Sequence, residues 1–270
     1  MGDMFADYRQ PSGHKDPLPR HTDPPATPTS ALSAGLQQAH GIRYEILYPG
    51  ANALLRVLLP AGGTLKAESG AMVAMGSQIE VEGKLEGGLL GGLGRMFSGE
   101  NFFFQTLKAV SGGGEVLLSP TALGTLQAIE LNGDTGYIVQ KGGFFAGTAG
   151  IQVNTSLQNL AKGLFSGQGF FILKISGQGL LFISSYGAIH PLDIPAGEEI
   201  IIDNQHLVAW PEDCHFNIEA ASKGWLSSVT SGEGLVCRFR GPVRVYIQTR
   251  NPDAFAIWIR GVVNGGKNPA

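Results

Sequence analysis

The chain is poor in charge. Asp, Glu, Lys and Arg make up 15% of its 270 residues, and the formal net charge is only −3. Ordinary soluble domains carry about a quarter of such residues, and no Lys/Arg cluster stands out, so the electrostatic footprint of a nucleic-acid-binding protein is missing. Cysteine is scarce too: Cys214 and Cys237 form no CxxC pair and are too few for a disulfide framework. No run of about 18 residues is free of polar groups, which argues against a membrane-spanning helix, and the amino terminus has no apolar signal core. What the chain has in abundance is glycine, 40 residues of it. Glycine destabilises helix interiors and supplies turns, so the balance points to a β-rich protein.

The first forty residues stand apart. They hold six of the 15 prolines and show neither helical nor strand period. Residues 1–40 therefore read as a disordered Pro-rich arm, with 41–264 as one β domain. Asp3, Asp7, Asp16 and Asp23 sit poorly with a mitochondrial leader, which is usually acid-poor, and Ala6 stands where myristoylation wants Ser or Thr.

The β domain repeats itself. LLRVLLPAGGTLKAESGAMVAM (54–75), LQAIELNGDTGYIVQKGGFFAG (126–147) and IHPLDIPAGEEIIIDNQHLVAW (189–210) each run strand, turn, strand and small apolar cluster. Equivalent positions such as Leu59, Leu131 and Ile194 are spaced by 72 and 63 residues. Alternating stretches follow at Ile79/Val81, Ile151/Val153 and Phe216/Ile218, the period of a strand with one wet face. Strands GEVLLS, GLLFIS and VRVYIQ close the units. The expectation is an all-β fold of three pseudo-equivalent repeats (53–119, 125–185 and 188–249) sharing one core, as a β-sandwich or β-prism, followed by a short helix over 252–263. Asn251 is placed to cap that helix, with Pro252 at its first position. Its stripe of Phe255, Trp258, Ile259 and Val262 is expected to pack on the β core, with a surface grip as the alternative.

The glycine-rich stretch GGLLGGLGRMFSGENFFFQ (87–105) raises the question of a phosphate cradle. A Walker loop requires GxxxxGK[ST] and a dinucleotide fingerprint requires a following helix; here no Lys-Ser or Lys-Thr follows and the segment runs into a strand. Ser-Gly pairs at 98–99, 166–167 and 231–232 recur in all three units, so the stretch reads as a sheet corner. Leu89, Leu90, Leu93, Met96 and Phe97 would make it an apolar interaction flap.

Catalytic constellations are equally thin. No GxSxG elbow and no HxH pair occurs. Cys214 and His215 are adjacent in a strand-like stretch and would face opposite ways. A divalent metal site can be drawn on paper from His190, His206 and His215, with Asp193, Asp203 and Asp213 near them in sequence. The rival reading is a metal- or small-ligand-binding protein or enzyme with a pocket between repeats, using His190, His206 or Asp203. The leading expectation is a non-enzyme, with no cofactor and no catalytic residues.

Six blocks carry a resemblance: GAMVAM (70–75), GGLLGGLGRMFSGENFF (87–103), IVQKGGFFAG (138–147), KGLFSGQGFFILKISGQG (162–179), SYGAIHPLDIPAGEEIIID (185–203) and QTRNPDAFAIWI (248–259). In this order they resemble the altered inheritance of mitochondria protein 24 family, over residues 41 to 263. The resemblance implies a fold similar to the tryptophan RNA-binding attenuation protein (TRAP-like, of double-stranded β-helix type), self-association into homo-oligomers, and no known enzymatic activity, cofactor or active site. It also implies a link, in fungal members, to the mitochondrial inner membrane. Shared fold does not carry RNA binding. The acidic, Pro-rich arm favours a cytoplasmic protein over a mitochondrial one. The functional expectation is a scaffold that contacts protein partners, with peripheral membrane contact as an alternative.

Overall fold

A computed structural model of the chain describes residues 35–82, 104–140, 142–154, 172–220 and 235–263. Among the described residues the fold is all-β, built from open antiparallel sheets with one short carboxy-terminal helix. The chain enters through a hairpin, β1 (Gln37–Ala39) and β2 (Ile42–Leu47), turned at His40 and Gly41 with φ of 47° and 77°. Two central residues with positive φ match the twist of the flanking strands. Regular structure therefore begins inside the stretch expected to be an arm. Tyr44 holds β1 in place by donating from its hydroxyl to Gln37 Oε1 at 2.6 Å.

Strands β3 (Leu54–Leu59), β4 (Thr64–Glu68), β5 (Met72–Met75) and β6 (Ile79–Glu82) follow, then β7 (Phe104–Ala109) and β8 (Gly114–Leu118). The next set is β9 (Leu126–Asn132), β10 (Tyr137–Gln140), β11 (Phe144–Thr148), β12 (Ile151–Asn154) and the long β13 (Ile172–Ser184). The last comprises β14 (Ile189–Ile194), β15 (Glu199–Asp203), β16 (Leu207–Pro211), β17 (His215–Ala220), β18 (Leu235–Arg240) and β19 (Val243–Gln248), and helix α1 (Pro252–Val263) ends the described chain.

Alternation dictates which face is buried. In β3, Leu55, Val57 and Leu59 are buried while Leu54, Arg56 and Leu58 are partly exposed, as period two requires. Pro60 starts the turn into β4, Gly63 N–H donates to the Pro60 carbonyl at 2.9 Å, and Gly62 takes a φ of 74° that a side chain would resist. The alternation is imperfect at β6, where Ile79 is buried but Val81 is exposed.

Each of β5, β11 and β16 carries a register shift against its partner: between Met72 and Ala74 on β8, Phe144 and Ala146 on β13, and Leu207 and Ala209 on β19. Such bulges bend a strand and add twist, letting a sheet turn a corner. Strand β13 joins what the sequence divides at SGQG. Its first half pairs with β10 and β12 and its second with β9 and β11, and Gly177 and Gly179 lie at the junction with φ of 96° and 158°.

The core falls into three apolar clusters. One is centred on Leu55, Leu65, Leu118 and Phe182, the second on Val139, Ile175, Leu181 and Val208, the third on Trp210, Cys237, Phe239 and Val245. Each draws on more than one of the three strand sets, so no set encloses its interior alone.

Candidate functional site

The three strand sets meet at one point. Asn52 forms a parallel bridge to Gly124, and Gly124 forms another to Gly187. Ala53 N–H donates to the Gly124 carbonyl at 3.5 Å and Thr125 N–H to the Gly187 carbonyl at 3.0 Å. Glycine is needed at position 124 because a Cβ there would collide with the Ser185 backbone. Thr125 fixes the neighbouring turn: its hydroxyl accepts from Gly50 N–H at 3.1 Å and donates to the Gly50 carbonyl at 3.2 Å.

The chain returns to this point after β19. Gln248 clamps two segments, its Oε1 accepting from Tyr186 N–H at 2.9 Å and its Nε2 donating to the Gln205 carbonyl at 2.8 Å. Thr249 Oγ1 accepts from Ala188 N–H at 2.9 Å. Helix α1 then starts as its residues require. Asn251 Oδ1 accepts from the N–H groups of Asp253 and Ala254 at 2.9 and 3.0 Å, Pro252 occupies a position with no N–H to satisfy, and Asp253 lies at the positive end of the helix dipole.

Between helix and corner lies an open groove of about 810 Å³. Ala51, Leu123 and Tyr186 from the corner, Thr249 and Arg250 from the chain leaving β19, and Ala254, Phe255 and Trp258 from the helix line it. The Phe255 ring stands 5.4 Å from that of Tyr186 and 5.8 Å from that of Trp258. These contacts do not bury the helix. None of its residues is buried, and Phe255, Ile257, Trp258, Ile259, Val262 and Val263 are all exposed, Trp258 at 60%. The stripe expected to pack on the β core is thus largely in solvent. The helix follows directly on the corner at Thr249, and its apolar residues outnumber those the groove can cover. Leu123 and Tyr48 add further exposed apolar surface at 61% and 69%.

The residues of the metal reading have local duties. Asp203 accepts from Gln205 N–H at 2.9 Å and so caps a short 3-10 turn. His206 Nδ1 lies 2.7 Å from the Gln248 carbonyl. His190 is exposed on β14, opposite Ile247. Among the described residues no group of three or more His, Cys, Asp or Glu side chains is disposed to hold a metal ion. Leu89, Leu90, Leu93, Met96 and Phe97 lie outside the described residues, as do all three Ser-Gly pairs.

Neither thiol is activated. Burial, then the Asp213 charge, pushes Cys214 up to about 11; burial, then the Asp203 charge, pushes Cys237 up to about 12. A thiol held protonated is a poor nucleophile and a poor metal ligand. Asp193 is held below its ordinary range through its hydrogen bonds to Arg244 at 2.7 and 2.8 Å, and this pair lies exposed across β14 and β19.

Sequence reasoning overlooked Leu123, Tyr186, Thr249 and Arg250. A signal for two of them was available: Ala51, Leu123 and Tyr186 follow the same spacing as Leu59, Leu131 and Ile194.

Taken together, these features define an all-β protein of open antiparallel sheets whose distinctive surface is a groove beside an exposed apolar helix. Its relatives agree on the class. Residues 44–250 match the family model described as mitochondrial biogenesis AIM24, and the chain belongs to the AIM24 family. It is 34% identical over 211 residues to an uncharacterized protein of Streptococcus pyogenes serotype M6, covering 75% of this chain and 84% of that one. It is similar, with a TM-score of 0.69 and 30% identity, to the crystal structure of a Streptococcus pyogenes protein, covering 82% of this chain and 99% of the other.

Proposed function

We propose that this AIM24-family chain is a non-catalytic interaction scaffold: three copies of one β unit form the body, and α1 with its groove is the docking element. The single observation that carries the reading is the helix. Twelve residues long with no buried member, it displays a nearly continuous apolar surface. Monomeric soluble proteins rarely leave such a patch uncovered unless something binds it. Triplication is supported by the three bulges in equivalent places and by the bridges joining Asn52, Gly124 and Gly187. The raised thiols and the dispersed histidines favour a scaffold over an enzyme.

A bilayer surface is the second reading, favoured by Trp258 and Arg260 on one short helix, a pairing suited to the boundary between headgroups and acyl chains. No described helix is long and apolar enough to cross a membrane. Co-sedimentation with phosphatidylcholine vesicles, with and without anionic lipid, decides between the two. Binding lost in Phe255→Ser/Trp258→Ser assigns the helix to lipid. Absence of vesicle binding, with a partner captured by the unaltered chain and released by the same substitutions, assigns it to protein. If the double substitution alters neither, α1 is not the docking element. Imaging the full chain beside one lacking residues 1–34, which leaves strand β1 in place, tests a cytoplasmic against a mitochondrial location.

A further inference from the structure

We infer that the chain joins a second copy of itself edge to edge, β15 of one molecule pairing antiparallel with β5 of the next. The inference rests on the triplicated body proposed above.

Two junctions between strand sets are made in the same way. Strand β4 pairs with β11 through Ala67–Ala146, Lys66–Gly147 and Leu65–Thr148. Strand β10 pairs with β16 through Val139–Ala209, Ile138–Trp210 and Tyr137–Pro211. By the spacing of the repeats these are equivalent residues in identical register. The same rule, applied once more, sets Ile202 opposite Ala74 and Ile201 opposite Met75.

That third junction is not made within the chain. Among the described residues, β5 is the edge of a five-stranded sheet and bonds only to β8, whereas β15 is the edge of a separate three-stranded sheet and bonds only to β18. Exposure records the missing partner. Met72 and Val73 of β5 are 39% and 56% exposed, while their equivalents Phe144 and Phe145 are 3% and 0%, and Leu207 and Val208 are 1% each. On the other edge Ile201 is exposed at 40%. An apolar strand edge that no other described strand pairs with is a template for another strand. The register and the chemistry of the two edges fit each other. Such a contact is head-to-tail, so it yields a ring if the rotation between copies closes and a filament if it does not.

The test uses the full chain. Light scattering is expected to give a mass at least twofold above the 28.5 kDa of one chain. Oxidised Met75→Cys/Ile201→Cys is expected to form covalent dimers and higher species, whereas Met75→Cys/Glu199→Cys, out of register, is not. Met75→Lys and Ile201→Lys, both at positions already exposed, are expected to leave the circular dichroism and melting temperature unchanged and to return the mass to one chain. A monomer at every concentration overturns the inference, as does oxidised Met75→Cys/Ile201→Cys that closes its disulfide only within single chains. An oligomer that survives Met75→Lys but dissolves in Trp258→Ser also overturns it, while leaving the docking helix of the proposed function standing.

Discussion

Gly124 and Ser185 lie so close that the backbone of one leaves no room for a Cβ on the other. The contact is where the strand sets are tied, through the bridges from Gly124 to Asn52 and Gly187 and the hydrogen bond from Ser185 N–H to the Thr125 carbonyl at 3.2 Å. An added methyl meets main chain here, which cannot rotate away as a side-chain tip can. Gly124→Ala is expected to lower stability by about 1–3 kcal/mol, the usual range for overpacking. Gly62→Ala, with open space around it but a φ of 74°, should lose about 1–2 kcal/mol from backbone strain alone. Urea melts of the two variants check this. Because Gly124→Ala displaces the corner, it should also alter binding at the groove, and Gly62→Ala should not.

Two tryptophans provide a contrast between core and surface. Trp210 is fully buried, edge-on to Phe216 and Phe239 at 5.4 and 5.7 Å. Trp210→Ala is expected to destabilise by about 3–5 kcal/mol, as large-to-small changes in cores do. Trp258→Ala removes a ring that is mostly in water and should stay within about 0.5 kcal/mol of the parent. Thermal melts that place the two variants at similar temperatures would show that α1 is packed far more tightly than its exposure indicates.

The strands were legible in the sequence because period-two alternation is a local signal. Leu55, Val57 and Leu59, or Ile151 and Val153, announce a buried face without knowledge of their neighbours. The carboxy-terminal helix was legible for a similar reason, with Asn251, Pro252 and Asp253 marking its start. Its environment was not. A stripe such as Phe255, Trp258 and Val262 specifies an apolar face but not what covers it, since that depends on where the chain emerges after Thr249. Strand β1 was hidden because it is three residues long and its hairpin is signalled only by His40–Gly41, a turn pair less usual than Asn-Gly. The groove escaped notice because its walls come from positions far apart in sequence, joined only when Gly124 and Gly187 meet.

The thiols give a chemical check on the core. With Cys214 raised to about 11 and Cys237 to about 12, both are almost wholly protonated at neutral pH. Alkylation by iodoacetamide at pH 7.5 should be slow in the native protein and at least about tenfold faster in urea, where thiols return to their ordinary range near 8.5. Cys214, only partly buried, should react before the buried Cys237. Peptide mass spectrometry reads both rates, and rapid native labelling of Cys237 would mean that the third apolar cluster opens readily.

Glu68 ends β4 opposite Phe104, in surroundings that raise its carboxyl above the ordinary 4.5 by withdrawing it from water. Since the folded chain then binds this proton more tightly than the unfolded chain, the direction of the pH effect is fixed. Below pH 4.5 the group is protonated in both states and contributes no penalty. As pH rises from there through the higher folded-state value, ionisation is harder in the fold than in the unfolded chain, and stability is lost; above that value the loss is constant. Glu68→Gln has no proton to lose. Relative to the parent, its stability advantage should be smallest below pH 4.5, grow with pH across the window, and level off near neutrality. Urea denaturation at half-unit steps from pH 4 to 7 measures the difference. A difference that is flat, or that shrinks as pH rises, would mean that Glu68 is well solvated and that the end of β4 is more open than the structure has it.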